Sequence, residues 1–422
     1  ETTEKKEMAR TLYEEAKQAF NDKDYEAALK KFKNSLNLYR EAGDQLSEAY
    51  MLTHIGSVYD SLNNYDDSAY FYEQALKIYY ELGDEFQQFN LLLRLGTAYK
   101  KIGDDERSKK YFSQAIKNGR EFGQRTGQKG FDFLESGDYS KAQKEFQLAL
   151  NIYKRVGTKQ EIADLMGAIG KTYNSLKRFE IAIDYYEQSL TIIREIGNKK
   201  SEISTLSELG LTYFEMKNYE KAIGTFKKTL ELKPDYADAF YVLGLVYSKL
   251  NQHERSIESI EKALKIYLES GSKKDVKRTN EAMLLIAHKI GSKGFDLIEE
   301  ANYSEALKKL QVALAVARQI GSKQVEAVFL SGIGMAQGLL KNHSAALDNF
   351  NQALIIYREI GDKKSESSAL HSIGHRYLEM KNHKKALEYF QELLEISESL
   401  KDIKTQASSL LWIGNTYSNQ GV

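Results

Sequence analysis

The sequence contains no cysteine and a single proline in 422 residues. Without cysteine there is no disulfide framework, no thiolate nucleophile and no cysteine-ligated zinc site. Proline is the residue that helix interiors exclude most strongly, so one proline beside 28 glycines predicts a chain that is helical almost throughout.

The chain also lacks net charge and long apolar runs. Sixty basic and 60 acidic residues cancel, so nothing steers the whole chain toward nucleic acid or an acidic membrane. No run approaches 18 apolar residues, and the first six residues, ETTEKK, lack the apolar core of a signal peptide. We therefore predict neither a nucleic-acid nor a membrane partner, and we favour the cytoplasm although the sequence does not fix the compartment.

What the sequence does contain is an internal repeat. The nonapeptide REIGNKKSE at 194–202 returns as REIGDKKSE at 358–366, inside a longer frame of a glycine, a tyrosine three residues on, and aromatic and small residues at helical spacing. The repeat is anchored by one small residue in each unit: Ala16, Gly56, Gly96, Gly130, Gly170, Gly210, Gly244, Gly294, Gly334, Gly374 and Gly414. These anchors predict ten helical hairpins and an eleventh unit that ends after its first helix.

The nonapeptide itself is predicted to be the joint between units. Gly197 and Gly361 suit the left-handed residue that ends a helix, and Asn198 or Asp362 follows as an N-cap for the next helix. The small anchor residues would let paired helices approach closely, while aromatic side chains fill the space between hairpins. A leucine at an anchor is therefore expected to overpack the contact.

This pattern resembles the tetratricopeptide repeat family across almost the whole chain, from about Ala9 to Gly421. Most steps between anchors are 40 residues rather than the basic 34, which is similar to LGN-type scaffolds, kinesin light chains and bacterial Rap-type regulators. The resemblance implies an all-α, right-handed superhelical solenoid of about ten and a half antiparallel hairpins. It also implies that first helices line a concave, partner-binding face.

The regular pattern of the repeat is interrupted at two places. Four glycines between 119 and 130 predict a weak joint or hinge, because each interior glycine costs a helix roughly 1 kcal/mol relative to alanine. The step from Gly244 to Gly294 is 50 residues and predicts a longer helix or an extra turn. We divide the array into three blocks, 1–122, 123–272 and 273–422. We also expect the native chain to continue beyond the last unit, since a solenoid needs a polar terminal cap.

Motifs for catalysis or metal binding are weak. The segment GAIGKTY at 167–173 contains the Gly-Lys-Thr of a phosphate-binding loop, but Leu165 stands where that loop requires glycine. His371, His375 and Glu379 have metal-compatible helical spacing, and we interpret them as polar residues on a ligand-facing surface. We predict no enzyme activity, no catalytic residues, no metal and no cofactor.

The family resemblance places candidate groove positions one residue after each anchor and one turn to either side. In the central slot, one residue after the anchor, only Asn415 matches the asparagine that LGN-type and Rap-type proteins often carry, so a segmented groove is expected. The candidate partner-binding residues are Arg94, Lys100, Lys101, Lys171, Leu211, Phe214, Leu245, Met335, His371, His375 and Asn415. The cations suit an acidic side chain or carboxylate, and the apolar residues suit a helix or extended segment. The alternatives are an ordinary solvated face and packing between repeats.

The resulting hypothesis is a non-catalytic protein-interaction scaffold or regulatory sensor that holds a partner peptide or helix in its concave groove. Its curvature would match the partner, with the glycine-rich stretch near Gly127 as the bending point. The alternative is a regulatory arm of a larger signalling enzyme, with the effector domain beyond residue 422 of the same full-length chain.

Overall fold

The computed structural model describes residues 2–419, and these residues form α-helices and short connections without strands. The twenty helices of this range are α1 (Thr2–Asn21), α2 (Tyr25–Glu41), α3 (Gln45–Ser61), α4 (Tyr65–Leu82), α5 (Glu85–Ile102), α6 (Asp105–Glu135), α7 (Tyr139–Val156), α8 (Lys159–Ser175), α9 (Phe179–Ile196), α10 (Lys199–Glu215), α11 (Tyr219–Leu232), α12 (Ala237–Lys249), α13 (His253–Glu269), α14 (Lys273–Glu299), α15 (Tyr303–Gln319), α16 (Lys323–Leu339), α17 (His343–Ile360), α18 (Lys363–Glu379), α19 (His383–Ser399) and α20 (Ile403–Asn419). The predicted all-α repeat fold is confirmed.

The joints between repeats have the predicted chemistry. Gly197 and Gly361 both adopt left-handed backbone conformations, with φ of 71° and 73°. Asn198 and Asp362 then cap the following helices, each accepting a hydrogen bond at 3.1 Å from the backbone N–H three residues on. The recurring nonapeptide is therefore a helix stop followed by a helix start.

The same joints carry an ion pair that the sequence analysis did not foresee. Arg194 Nε donates to Glu202 Oε1 at 2.7 Å, and Arg358 Nε donates to Glu366 Oε1 at 3.1 Å, eight residues further along the chain in both cases. The same pair recurs in Arg40–Glu48 and Arg318–Glu326. Each arginine comes from the last turn of a second helix and each glutamate from the first turn of the next helix, so the pair fastens one repeat to its successor.

Six of the anchor glycines face an aromatic ring of the partner helix: Gly56, Gly96, Gly130, Gly170, Gly334 and Gly374. A Cβ built on Gly374 would lie 2.6 Å from the Phe390 ring, and one on Gly170 would lie 2.8 Å from the Tyr186 ring. In both pairs the ring belongs to the residue sixteen positions later, on the second helix of the same hairpin. Any side chain larger than hydrogen would force this ring to move, which is the overpacking that the repeat pattern predicted.

The glycine-rich stretch is part of an unbroken helix rather than a loop between helices. Helix α6 has 31 residues because the second helix of the third repeat continues directly into the first helix of the fourth. Gly119 packs against Phe89 and Gly130 against Phe146, with a built Cβ 2.6 Å from the ring in each case. Close packing is thus one reason for these glycines, and the hinge at 119–130 stays a prediction.

The 50-residue step is explained by helix α14, which has 27 residues where α16 and α18 have 17. The longer helix predicted for this segment is confirmed. All ten additional residues lie at its N-terminal end, because α14 ends five residues after its anchor glycine, as α16 and α18 do.

The contacts divide the chain into two compact units, residues 1–212 and 213–422, with the boundary inside α10. Each unit has its own core. Tyr72 and Phe89 belong to the core of the first unit, and Phe329 and Phe390 belong to that of the second. The three-block division by sequence stays a prediction.

Candidate partner-binding surfaces

A polar cavity of about 590 Å³ lies in the first unit, between helices α3 and α5. Its volume is in the range of sites that hold a small ligand or a few side chains of a peptide. Two arginines and one carboxylate, together with neutral polar and aromatic groups, line it: Tyr50, Thr53, His54, Ser57, Asp60, Phe86, Gln87, Asn90, Leu91, Leu93, Arg94, Thr97 and Arg155.

Arg94 is fixed in this cavity by a hydrogen-bond network. Its Nη1 donates to Ser57 Oγ at 3.0 Å and to the Tyr72 hydroxyl at 3.1 Å. The Tyr72 hydroxyl donates to Ser57 Oγ at 3.2 Å, and Ser57 Oγ donates to the backbone carbonyl of Thr53 at 3.0 Å. Arg94 Nη1 and the hydroxyls of Tyr72 and Ser57 each have an acceptor in this network, so the guanidinium is held in place before any partner binds.

A second arginine reaches the cavity from helix α7. Arg155 Nη1 donates to Asn90 Oδ1 at 2.6 Å, which joins the end of α7 to the first half of α5. Both α5 and α7 pack along α6. At Gly119 the α6 backbone contacts Phe89 of α5 and Val156 of α7. The fused helix therefore brings Arg155 to the cavity.

His54 forms the aromatic wall of the cavity. Its ring stacks on Phe32 with a centroid distance of 5.2 Å and an interplanar angle of 14°, and the Tyr50 ring meets it edge-on at 4.6 Å. Burial, with smaller contributions from the positive charges of Arg94 and Lys17, lowers the pKa of His54 to about 4. His54 is therefore neutral at pH 7, and the positive charge of the cavity comes from its arginines.

The four predicted cations lie on helices α5 and α8. Arg94 lines the cavity, whereas Lys100 and Lys101 lie exposed in the last turn of α5 and do not line it. Lys171, on α8, lies 3.4 Å from the carboxylate of Glu208 on α10. The basic stretch predicted from these residues stays a prediction, and Arg155 is the second arginine of the cavity lining.

Among the cavity residues that sequence reasoning missed are Asn90, His54 and Arg155. Asn90 lies seven residues, or two helical turns, before Thr97, so continuing the groove spacing along α5 would have found it. His54 lies three residues before Ser57 on α3, within one turn of a predicted groove position. No local signal identifies Arg155, because its position depends on the fusion that forms α6.

The predicted apolar residues are half-buried or partly exposed. Leu211 and Phe214 lie on α10, and the Phe214 ring is 6.1 Å from the Tyr219 ring. Leu245, on α12, packs against the core of the second unit, and Met335, on α16, is 41% exposed. Among these four residues Met335 offers the most accessible apolar surface.

The predicted histidines meet the single tryptophan of the chain. The rings of His371 and His375 lie edge-on to Trp412 at 5.9 and 5.3 Å, and Arg376 Nη2 donates to His375 Nδ1 at 3.0 Å. Burial lowers the pKa of both histidines. Asn415 is exposed on α20.

Within 2–419 no three histidine or acidic side chains are grouped so that they would hold a metal ion. Across this range, no helix has both the length and the apolar character needed to cross a bilayer.

The successive hairpins and the fixed polar groups of their first helices define a helical-repeat protein of the kind that binds other proteins. A family model described as tetratricopeptide repeat matches residues 7–81, 125–195, 161–235, 201–269 and 326–399, and a second tetratricopeptide repeat model matches 89–118. Because the first model alone matches more than half of the chain, the chain belongs to the tetratricopeptide repeat family. Proteins of this family are typically scaffolds for protein–protein interaction and are generally non-catalytic.

Several solved structures are similar to this chain at low identity. Aspartyl phosphate phosphatase F from Bacillus subtilis is 18% identical, with 84% of this chain and 93% of that chain covered and a TM-score of 0.38. A Rap protein complexed with competence and sporulation factor is 15% identical, with 85% and 99% covered and a TM-score of 0.35. Yeast Tom70 is 14% identical, with 98% and 96% covered and a TM-score of 0.28. A search of curated protein sequences found no match.

Proposed function

We propose that this chain is a non-catalytic scaffold or regulatory sensor that holds an acidic segment of a partner protein in the cavity between α3 and α5. The observation that carries the proposal is the fixed guanidinium of Arg94, whose hydrogen bonds to Ser57 and Tyr72 hold it at the cavity wall. Arg155 adds a second positive charge. A partner carboxylate placed between them would accept charge-assisted hydrogen bonds from both arginines. Because the two side chains are already ordered, binding would not have to order them.

The apolar residues of the second unit extend the proposal. Met335 is 41% exposed on a first helix, and Leu245 is half-buried on another. An apolar side chain of the partner would remove this surface from water at about 25 cal/mol per Å². In this proposal the carboxylate contact of the first unit provides specificity, and apolar contacts at the second unit's own surface add affinity. Leu211, Phe214, His371, His375 and Asn415 stay candidate partner-binding residues.

The proposal is tested with peptides selected by display on the full chain and then synthesised with Asp and Glu replaced by Asn and Gln. We expect the selected peptides to contain a carboxylate that contributes to binding. The amide version should then bind at least tenfold more weakly, because hydrogen bonds between charged groups contribute about 1.5–3 kcal/mol. Arg94→Gln should produce a similar loss.

Arg107→Gln is the matched control for this experiment. Arg107 also donates to a tyrosine hydroxyl, that of Tyr99 at 3.1 Å, and lies over the same ring at 4.3 Å, but it does not line the cavity. Thermal unfolding of both variants would show whether the fold is intact. The proposal fails if folded Arg94→Gln binds the acidic peptides as tightly as the wild type does.

A further inference from the structure

Helix α14 leaves part of its surface without a neighbouring first helix. Helix α16 begins 11 residues before its anchor glycine, whereas α14 begins 21 residues before its own. The ten additional residues extend α14 by roughly 15 Å. Because α16 is shorter at this end, one face of the added segment lies over the connection between α15 and α16 instead of against a helix.

The added segment is held firmly on its other side. The Arg278 guanidinium lies 4.3 Å from the centroid of the Tyr241 ring, and its Nη2 donates to Asp238 Oδ1 at 3.1 Å and to the Tyr267 hydroxyl at 3.0 Å. Val276 packs against Ala263 and Tyr267 of the core. These contacts fix the segment to α12 and α13, so its free face has a defined shape.

That free face forms a groove of about 520 Å³, which we call the α14 groove. Its residues on α14 recur every three or four positions and are joined by two residues of the connection between α15 and α16: Lys273, Val276, Lys277, Asn280, Glu281, Leu284, Ile320 and Ser322. The floor consists of the half-buried aliphatic side chains of Val276, Leu284 and Ile320. The polar side chains of the lining lie along the edges of the groove.

The charge of the α14 groove is mainly positive. Lys273 and Lys277 are exposed one turn apart at one end, and Glu281 is the one carboxylate in its lining. Asp275, which lies between the lysines in the sequence, is engaged elsewhere: it accepts from Ser272 Oγ at 2.5 Å and lies 3.2 Å from Arg278. Both ammonium groups are therefore available to a partner.

We infer that the α14 groove is a second interaction surface, separate from the α3–α5 cavity, and that it binds an amphipathic partner segment with aliphatic side chains followed by acidic ones. The aliphatic side chains cover Val276, Leu284 and Ile320, and the carboxylates face Lys273 and Lys277. The length of the added helix fits two to three turns of a partner helix, about 15 Å. With this surface and the α3–α5 cavity, the chain would hold two segments at once.

The test uses the full chain and a labelled peptide pair: an amphipathic helix with leucines four residues apart flanked by glutamates, and the same helix with every glutamate replaced by lysine. A photo-reactive group on each peptide identifies the bound site by mass spectrometry. We expect the glutamate peptide to cross-link within residues 273–284 and to bind about tenfold more weakly to Lys273→Glu/Lys277→Glu. The lysine peptide should show the opposite preference.

Two controls separate this surface from others. Lys199→Glu/Lys200→Glu changes two exposed lysines in the first turn of α10, outside the groove, and should leave binding unchanged. Arg94→Gln should also leave cross-linking at 273–284 unchanged, so failure of the proposed function and failure of this inference are distinguishable.

Three results would overturn the inference. The first is equal binding of the glutamate peptide to the wild type and to Lys273→Glu/Lys277→Glu, and the second is absence of any cross-link in 273–284. The third is self-association of the chain that the double substitution abolishes in sedimentation experiments, since a second copy would then be the occupant of the groove.

Discussion

At the scale of single residues, the anchor glycines show why the absence of a Cβ atom matters in this fold. Eight of them, from Gly56 to Gly374, face a side chain of the partner helix at a separation that has no room for a methyl group. Other glycines, such as Gly224, lie in open space and carry no such constraint. The two kinds of glycine look alike in the sequence except for their place in the repeat.

The first prediction compares Gly374→Ala with Gly224→Ala. The new methyl group at 374 would meet the Phe390 ring at 2.6 Å, so we expect a loss of about 1–3 kcal/mol in the free energy of unfolding. Gly224 lies exposed within α11, and a Cβ there would meet nothing within 4 Å, so Gly224→Ala should stabilise by about 0.5–1 kcal/mol. Urea unfolding measures both. Equal effects would contradict the role of the anchor position.

The second prediction concerns the buried imidazole of His54. Burial lowers the pKa of His54 to about 4 in the folded chain, whereas the unfolded value is about 6.5. As the pH falls below 6.5, His54 is therefore protonated in the unfolded chain before it is protonated in the folded chain. The contribution of His54 to stability is present above pH 6.5 and is lost as the pH falls toward 4. Its slope should be about 1.4 kcal/mol per pH unit within that window.

His54→Phe provides the control for this effect. Phenylalanine keeps an aromatic ring against Phe32 and Tyr50 but cannot take up a proton. Urea unfolding at pH 7, 6 and 5 should therefore give a shallower loss of stability for His54→Phe than for the wild type. Parallel pH profiles would show that His54 is not the titrating group.

At the scale of helices, one joint between repeats contains an arginine that contacts two glutamates of different burial, one on each of two helices. Arg358 pairs with Glu366, whose side chain is 3% exposed, and with Glu392, whose side chain is 40% exposed. Lys363 also donates to Glu366, at 2.8 Å. Because the pair buries one carboxylate almost completely, the two glutamates are expected to differ in their contribution to stability.

The third prediction compares Glu366→Gln with Glu392→Gln. Neutralising Glu366 leaves Arg358 and Lys363 without their buried counter-charge, and we expect a loss of about 3 kcal/mol in the free energy of unfolding. Glu392→Gln should change the free energy of unfolding by at most about 0.5–1 kcal/mol, since exposed ion pairs contribute little to stability. Denaturant unfolding measures both values, and equal losses would show that burial is not the deciding factor.

The fourth prediction tests the hinge in α6. If residues 119–130 bend, their amides should exchange hydrogen faster than those of the flanking helices, although α6 is continuous. Gly127→Ala should slow that exchange, because a Cβ at 127 would make an ordinary 3.8 Å contact with Leu165. Wild-type protection equal to that of the flanking helices would remove the hinge and leave close packing as the reason for these glycines.

At the scale of the whole molecule, the helices within each unit pack mainly on the helices that precede and follow them in the chain. In such an array, stability is approximately the sum of terms for each repeat and its nearest neighbours. The two compact units and their separate cores agree with this description. A local change should therefore have a local effect.

The fifth prediction applies this reasoning to Gly374→Ala. Hydrogen exchange should accelerate in α16–α20, around the substituted repeat, and stay unchanged for amides of residues 2–212. Exchange followed by mass spectrometry of peptic fragments measures both regions in one experiment. Uniform acceleration through the first unit would show that the array unfolds as one cooperative body.

The fold was predictable from the sequence because the determinants of a helical hairpin are local. The glycine stops and Asn or Asp caps of the joints act within a few residues, and the anchor glycine and its ring are sixteen residues apart, so the repeat pattern contains both. The lengthening of α14 was predictable too, since ten additional residues without a stop signal extend a helix.

The candidate sites were predictable only in part, and the reason is distance along the chain. Of the predicted cations, Arg94 lines the α3–α5 cavity, while Arg155 comes from 61 residues later and arrives there through the fused helix α6. The α14 groove likewise joins Lys273 to Ile320. The sequence by itself determined the repeat, its caps and its helices through contacts between near neighbours in the chain. Only the tertiary structure decided which charged side chains meet, because that depends on how consecutive hairpins are stacked.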